Sequence, residues 1–419
     1  MTLRLVFSLS VFLACTTTMT AMAAPTLEEI WNKLQAQEQL IGELQESLEV
    51  ANQRLKRAET RNKIVEENLN ATSEYVENIT QVEQSKTTIG GYGELHYNNL
   101  DANDSSRDLK QADFHRWVLF FGHKFNDRIS FFSEFELEHS LAIDTADGSG
   151  PGEVELEQAY LDYKLNDNHS VRAGQFLIPI GIMNETHEPP TFYGVERNDV
   201  ENIIIPATWW EAGVAASGNY ANGLSWDFAV HTGLEMPTTG GSAYRVRSGR
   251  QKVAKAVAED LAYTLRVRYS GVPGLDVAAT FQHQGDASQV SDDGLDSGRL
   301  TSLHGIYTNG PFSIRGLWAK WEFDGTGVNT AGVEDQDGWY LEPSFRFDLT
   351  KLDLGLYARF EEVEGARTRD QFDQWEFGVN VWPTDKVVLK ADYRNRSHNN
   401  SSDQGRDFKG IDLGIGYQF

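Results

Sequence analysis

Cysteine is nearly absent: Cys15 is the only one in 419 residues. It falls in a leader-like start, with Arg4 as the lone positive charge, an apolar stretch from Leu5 to Ala14 and the small-x-small triplet Ala21-Met22-Ala23. A signal peptide is therefore expected over 1-23. With Cys15 removed, disulfide, thiolate–zinc and cysteine-nucleophile chemistry are excluded. Phe12-Leu13-Ala14 is a poor lipobox, which argues against a lipid anchor. Long apolar runs are missing too. Beyond the leader none approaches the roughly 20 residues of a membrane helix. That leaves a soluble protein or a β-barrel, whose outward apolar residues are diluted one-for-one by lumen residues. Positive charge is scarce: 37 Lys and Arg stand against 62 Asp and Glu, a net of -25, so no nucleic-acid partner is expected. Catalytic signatures are lacking as well. The ten histidines are scattered, without His-Glu-x-x-His or Gly-x-Ser-x-Gly, and no enzyme activity, cofactor or metal centre is expected.

Two periodicities fill the rest. Over residues 26-84, steps of three and four from Leu27 visit Ile30, Leu34, Ile41, Leu44, Leu48, Leu55, Val65, Leu69, Val76 and Ile79 in one unbroken heptad register. That predicts an α-helical coiled coil. Asn62 falls at a core position, where a buried polar side chain fixes register, so self-association is expected. From Thr87 the period changes to two. Sixteen alternating stretches follow, near 88-99, 112-125, 128-141, 153-165, 169-181, 207-220, 223-234, 257-270, 274-285, 299-309, 311-323, 337-348, 351-363, 373-383, 386-397 and 407-419. Short turns such as Asn126-Asp127 and Thr384-Asp385 alternate with longer connections, as in an up-and-down outer-membrane barrel. The expected fold is all-β and transmembrane: a 16-stranded antiparallel β-barrel over 87-419, preceded by the coiled coil.

The last stretch states the pattern most plainly. Ile411, Leu413, Ile415, Tyr417 and Phe419 alternate with Asp412, Gly414, Gly416 and Gln418, so one face meets lipid and the other water. Trp117, Tyr163, Trp210, Trp339, Trp375 and Tyr417 are candidates for interfacial girdles.

Charged residues on the opposite faces are assigned to the interior, because each would cost roughly 2–4 kcal/mol in lipid near the midplane. The acidic set is Glu134, Glu136, Glu138 and Asp162. The basic set is Arg266, Arg268, Arg346, Arg359, Lys390 and Arg394. Acidic and basic groups on facing walls would place a transverse field across a watery pore; the alternative is that they pair locally and hydrate the wall. The third long connection, 182-206, carries Glu185, His187, Glu188, Glu196, Arg197 and Asp199 and two adjacent prolines. Folded inward, it would narrow the pore and present these side chains to solute.

Gly174-Gln175-Phe176, Ile178-Pro179-Ile180-Gly181, Glu196-Arg197-Asn198 and Ile205-Pro206-Ala207-Thr208-Trp209-Trp210-Glu211-Ala212-Gly213 resemble the phosphate-selective porin O and P family. The terminal Phe419 likewise resembles the assembly signal of bacterial outer-membrane porins, read by the barrel assembly machinery. The resemblance implies a homotrimeric Gram-negative outer-membrane porin, surrounded by lipopolysaccharide, with its coiled coil in the periplasm, passing small hydrophilic solutes and ions, phosphate or other anions among them. The chain departs from the family's pattern of lumen arginines and lysines. Its barrel carries 29 basic and 50 acidic residues, a net of -21, and the third connection has a single Arg and no Lys. A less selective or cation-tolerant pore fits those counts equally. The competing class is a structural tether acting through the coiled coil.

Overall fold

In a computed structural model of the protein, the described residues are 86–142, 151–290 and 294–419, with Glu28 and Trp31 singly. The leader expected over 1-23, the coiled coil expected over 26-84 and its Asn62 lie outside them.

Sixteen strands follow one another: β1 (Thr87–Ala102), β2 (Leu109–Lys124), β3 (Ile129–Glu138), β4 (Val154–Lys164), β5 (His169–Leu177), β6 (Trp210–Asn219), β7 (Leu224–His231), β8 (Ala262–Tyr269), β9 (Leu275–Gln284), β10 (Gly298–Asn309), β11 (Phe312–Phe323), β12 (Asp335–Asp348), β13 (Asp353–Glu364), β14 (Gln371–Thr384), β15 (Val387–His398) and β16 (Phe408–Gln418). Each pairs antiparallel with its sequence neighbours, and β1 pairs with β16, so the barrel is closed. Closure leaves no edge with unpaired backbone groups, which a sheet in hydrocarbon requires.

Side-chain parity follows the pleat. On β16, Ile411, Leu413 and Ile415 are exposed on the outside while Asp412, Gly414 and Gly416 are buried inside. The outward set continues through Leu389, Phe377, Leu356, Leu341, Leu303, Phe281, Leu265, Phe228, Val214, Leu161, Phe135 and Leu95. A belt of large apolar side chains around a closed sheet fits a lipid environment and no aqueous one. Among the described residues no helix is long and apolar enough to cross a membrane; the strands are the spanning elements.

Two strand limits differ from the sequence expectation. β5 stops at Leu177, because Pro179 lacks an amide proton and Gly181 takes φ 69°, so the apolar alternation of 178-181 turns into the interior. β8 starts only at Ala262. Trp210 does not belong to an outer girdle: it is buried at the start of β6, with the Arg250 guanidinium 5.8 Å from its ring.

Candidate functional site

The long connections, not the strands, shape the interior. The third (178–209, hereafter L3) leaves β5 and re-enters β6. Its ends are stapled by the buried Asn184. The Asn184 amide nitrogen donates to the carbonyls of Ile178 (2.8 Å) and Trp209 (2.9 Å), and its oxygen accepts from the Trp209 amide (2.6 Å). A short helix, α1 (Asp199–Ile203), is capped by Asn198, whose side chain accepts from the Glu201 amide. Glu201 accepts from the amides of Ile182 and Met183, each at 2.7 Å, and from the Tyr340 hydroxyl at 2.9 Å. Burial pushes its carboxyl above the usual range, and the two amides oppose that.

L3 crosses the lumen. Ile178, Ile180, Ile182, Val200, Ile203, Ile204 and Ile205 pack with Trp321, Phe323, Tyr340, Val363 and Phe372 on the inner faces of β11 to β14. Further along, Pro190, Phe192, Tyr193, Gly194 and Val195 meet the far wall. Trp382 donates to the Pro190 carbonyl (3.1 Å), Asn380 to Phe192 (3.1 Å) and Lys390 to Gly194 (2.7 Å), and the Val195 amide donates to Asp392 (2.7 Å). Pro189 rests on Gly416, where a Cβ would lie 2.2 Å from the proline Cβ. Inward glycines on β16 are thus the seat of the loop.

Most of the sequence-assigned charges pair with a neighbour. Arg359 lies between Glu342 (3.0 Å) and Glu376 (2.6 Å), and Arg394 binds Asp412 at 2.5 Å. Arg266 is shared by Asp227 (2.7 Å) and Glu185 of L3. Arg268 pairs with Asp276, Arg346 with Asp353, and Arg396 with Asp199. Asp162 faces Arg172 at 3.8 Å, four rungs from Glu134, so it is not part of the acidic group on β3. Glu136 shares Arg116 with Glu94, and Glu138 borders the cavity described next. Neighbouring strands place these basic residues beside carboxylates, whereas Glu134 on β3 and Glu157 on β4 lie together with His187 as their ion-pair neighbour. Lys390 is spent on L3, with its ammonium 3.4 Å from the Phe192 ring centre. His187 is buried against the β3–β4 wall, and Glu188 is half-buried.

Between L3 and the walls of β1 to β4 and β15 to β16 lies a cavity of about 610 Å³. Glu196, Arg197 and Asp199 of L3 border it, with Arg247, Arg250 and Lys252 from the fourth long connection (232–261, L4). Lys252 pairs with Glu153 and Glu155. Arg197, Arg247 and Arg250 have no carboxylate within ion-pair distance among the described residues. Arg247 donates to the carbonyls of Asn202 (3.2 Å) and Ala207 (2.7 Å), Arg250 to Thr208 (2.5 Å), and Arg197 to His187 (3.4 Å). The Nε atoms of Arg197 and Arg250 are buried without an acceptor. Burial, then the like charges of Arg250 and Arg245, push the Arg247 guanidinium well below its ordinary pKa.

Sequence reasoning missed two things here. The L4 run Arg245-Val246-Arg247-Ser248-Gly249-Arg250-Gln251-Lys252 was the available signal for the basic group. The histidines also converge: His96 stacks on His115 at 4.5 Å between ring centres, and His115 lies 5.3 Å from His139. The pairing of β1 with β2, His96 opposite Asp113, and of β2 with β3, Arg116 opposite Glu138, brings them together.

Residues 88–419 match the model of the family described as phosphate-selective porin O and P. A protein of Aquifex aeolicus (strain VF5), described only as uncharacterized, is 30% identical over 358 residues, covering 75% of this chain and 77% of its own length. Two solved structures share the fold at 12% identity over 80% of this chain: an anion-selective porin from Comamonas acidovorans (TM-score 0.52, 99% of that chain) and Salmonella typhi OmpF in complex with daunomycin (TM-score 0.53, 97% of that chain). Family and fold alike are those of a channel. With a closed 16-stranded barrel, a lipid-compatible belt, a charged interior and this match, the chain belongs to the phosphate-selective porin O and P family and is an outer-membrane porin.

Proposed function

We propose that the pore passes small anions and that its preference is set where L3 and L4 meet. One observation carries this: Arg197, Arg247 and Arg250 border the cavity with carbonyl oxygens as partners and no carboxylate. Each guanidinium has five N–H donors, and carbonyls occupy only one or two of them. A permeating anion supplies the missing acceptors and charge, as phosphate does in bidentate arginine contacts. The acidic total of the chain does not oppose this, because many interior carboxylates, among them Glu94, Glu342, Glu376 and Asp412, are already paired with arginines. Phosphate, the solute in the family's description, has the right charge and acceptor geometry. Glu185, Glu188, Glu196 and Asp199 act in this scheme as partners and spacers of the basic groups. The working unit is a trimer in the outer membrane, with the coiled coil of 26-84 in the periplasm.

Planar-bilayer recording in a potassium chloride gradient tests the reading. The wild-type zero-current potential is expected to have the anion-selective sign. Replacing Arg197, Arg247 and Arg250 together by Gln should abolish or reverse it while leaving stepwise channels. Cation selectivity in the wild type, or an unchanged potential in the triple variant, refutes the proposal.

A further inference from the structure

Beneath L3, away from the cavity, three side chains meet in a way that ion pairing does not explain. Glu134 of β3, Glu157 of β4 and His187 of L3 are each at most 3% exposed, and one ligand atom from each lies within 4.8 Å of the other two. His187 Nε2 is 3.4 Å from Glu134 Oε1 and 3.9 Å from Glu157 Oε2. An imidazolium bonded to a carboxylate sits at 2.7–2.9 Å. The observed spacings are longer, and they match those of ligand atoms around one metal ion, roughly 3.4 Å apart for bonds of 2.0–2.1 Å.

The surroundings favour the same reading. His187 Nδ1 faces the Asn184 carbonyl at 3.3 Å. Donation there leaves the Nε2 lone pair directed at two carboxylates, the arrangement that orients a metal-binding imidazole. Glu134 accepts from Gln158 through its other oxygen (2.6 Å), and Glu157 accepts from Thr208 (2.7 Å). Glu157 Oε2 is buried and without a hydrogen-bond partner. The register of β3 with β4 shifts between Glu134 and Phe135, so Leu156 and Gln158 take adjacent partners and Glu157 is the extra residue of a bulge. Bulges re-aim side chains, and this one turns both Glu157 and Gln158 inward. Among the described residues neither buried carboxylate has an Arg or Lys within ion-pair distance. Arg116 of β2 is engaged with Glu94 and Glu136, and Arg197 of L3 donates to the His187 carbonyl.

We propose that Glu134, Glu157 and His187 bind a resident first-row divalent transition-metal ion, with zinc the expected occupant, and that the ion pins L3 to the β3–β4 wall. The dicarboxylate–imidazole set suits such an ion, and its double charge neutralises the pair.

The test is elemental analysis of the full-length protein purified from outer membranes with a brief EDTA wash. About one zinc or other first-row divalent ion per chain is expected in the wild type. It should persist in H115A, which alters the partly exposed histidine group, and be lost in E157Q and H187A. Growth with cobalt replaces zinc in the wild type, and visible absorption bands of a nitrogen–oxygen site should then appear, a readout that needs no variant to fold. Metal-free wild type with neither cobalt bands nor a rise in heat stability on refolding with zinc overturns the proposal. So does an ion lost in H115A but kept in H187A. Conductance recorded on the same preparations separates this outcome from failure of the channel reading.

Discussion

Replacing Arg359 by Met removes the cation between Glu342 and Glu376 and keeps most of the side-chain volume. The guanidinium also reaches the carbonyls of Tyr193 (3.4 Å) and Glu196 (3.5 Å), so it links β12, β13 and β14 to L3. Breaking a buried pair typically costs about 3–5 kcal/mol, because the abandoned charge stays buried. Two compensations hold the expected value near the lower bound. Glu342 keeps Arg315 at 3.1 Å, and Glu376 keeps the Tyr357 hydroxyl. The expected loss is therefore about 3 kcal/mol, on the order of a hundredfold in the folded-to-unfolded ratio. Urea unfolding in lipid vesicles, followed by tryptophan fluorescence, reads it. The double variant Arg359→Met/Glu376→Gln should recover most of the loss, because the stranded charge goes with it. Arg346→Met breaks an exposed pair with Asp353 and should cost less than about 1 kcal/mol. If Arg359→Met matches Arg346→Met, or the double variant is no better than the single, the buried-pair argument is wrong.

The loop seat and the lipid face yield three further expectations. Gly416→Val places a methyl group against Pro189, so L3 should lift from β16 and single-channel conductance should rise; an unchanged conductance with normal folding removes Pro189 as a contact. Asn184→Leu leaves the buried Trp209 amide without its acceptor, at roughly 1–3 kcal/mol, and removes the side-chain donor from the Ile178 and Trp209 carbonyls, which keep the Ile180 and Ile178 amides, so limited proteolysis should cut within 178–209 where the wild type resists, and equal resistance refutes the staple. Ile415→Arg faces lipid and should cost about 2–4 kcal/mol near the midplane, seen as a lower folding yield in vesicles; a yield equal to wild type would mean that position 415 does not meet hydrocarbon.

Strand number and order were legible because a period of two repeats through every wall, and the turn residues punctuate it. What the period cannot show is which residues leave the sheet. Ile178 and Ile180 alternate like a strand, yet they fill the lumen once Pro179 withholds its amide. Trp210 looked like a girdle residue because its neighbours in sequence do not reveal that L4 folds back over it. The paired charges were hidden for a different reason. Arg359 stands opposite Glu376 in the register, a relation between residues 17 apart that only the ladder defines. His96, His115 and Glu196 come from three segments, and no spacing rule links them. L4's arginines were visible as a run, but a loop of unknown path gave no reason to bring them inside.

The seam between β1 and β16 also sets the order in which the molecule can be built. Asn98 donates to Asp412 across it at 2.7 Å, from a position 314 residues away along the chain, and Gly91 and Phe419 exchange both backbone hydrogen bonds. Joining two points so distant in a free chain costs roughly 5 kcal/mol in entropy, so this contact forms after the intervening hairpins have curled the sheet. Every earlier assembly state carries two unpaired margins with apolar outer faces, the condition under which sheets join one another edge to edge. The final zipper is therefore both the last contact to form and the one that ends the hazard of aggregation.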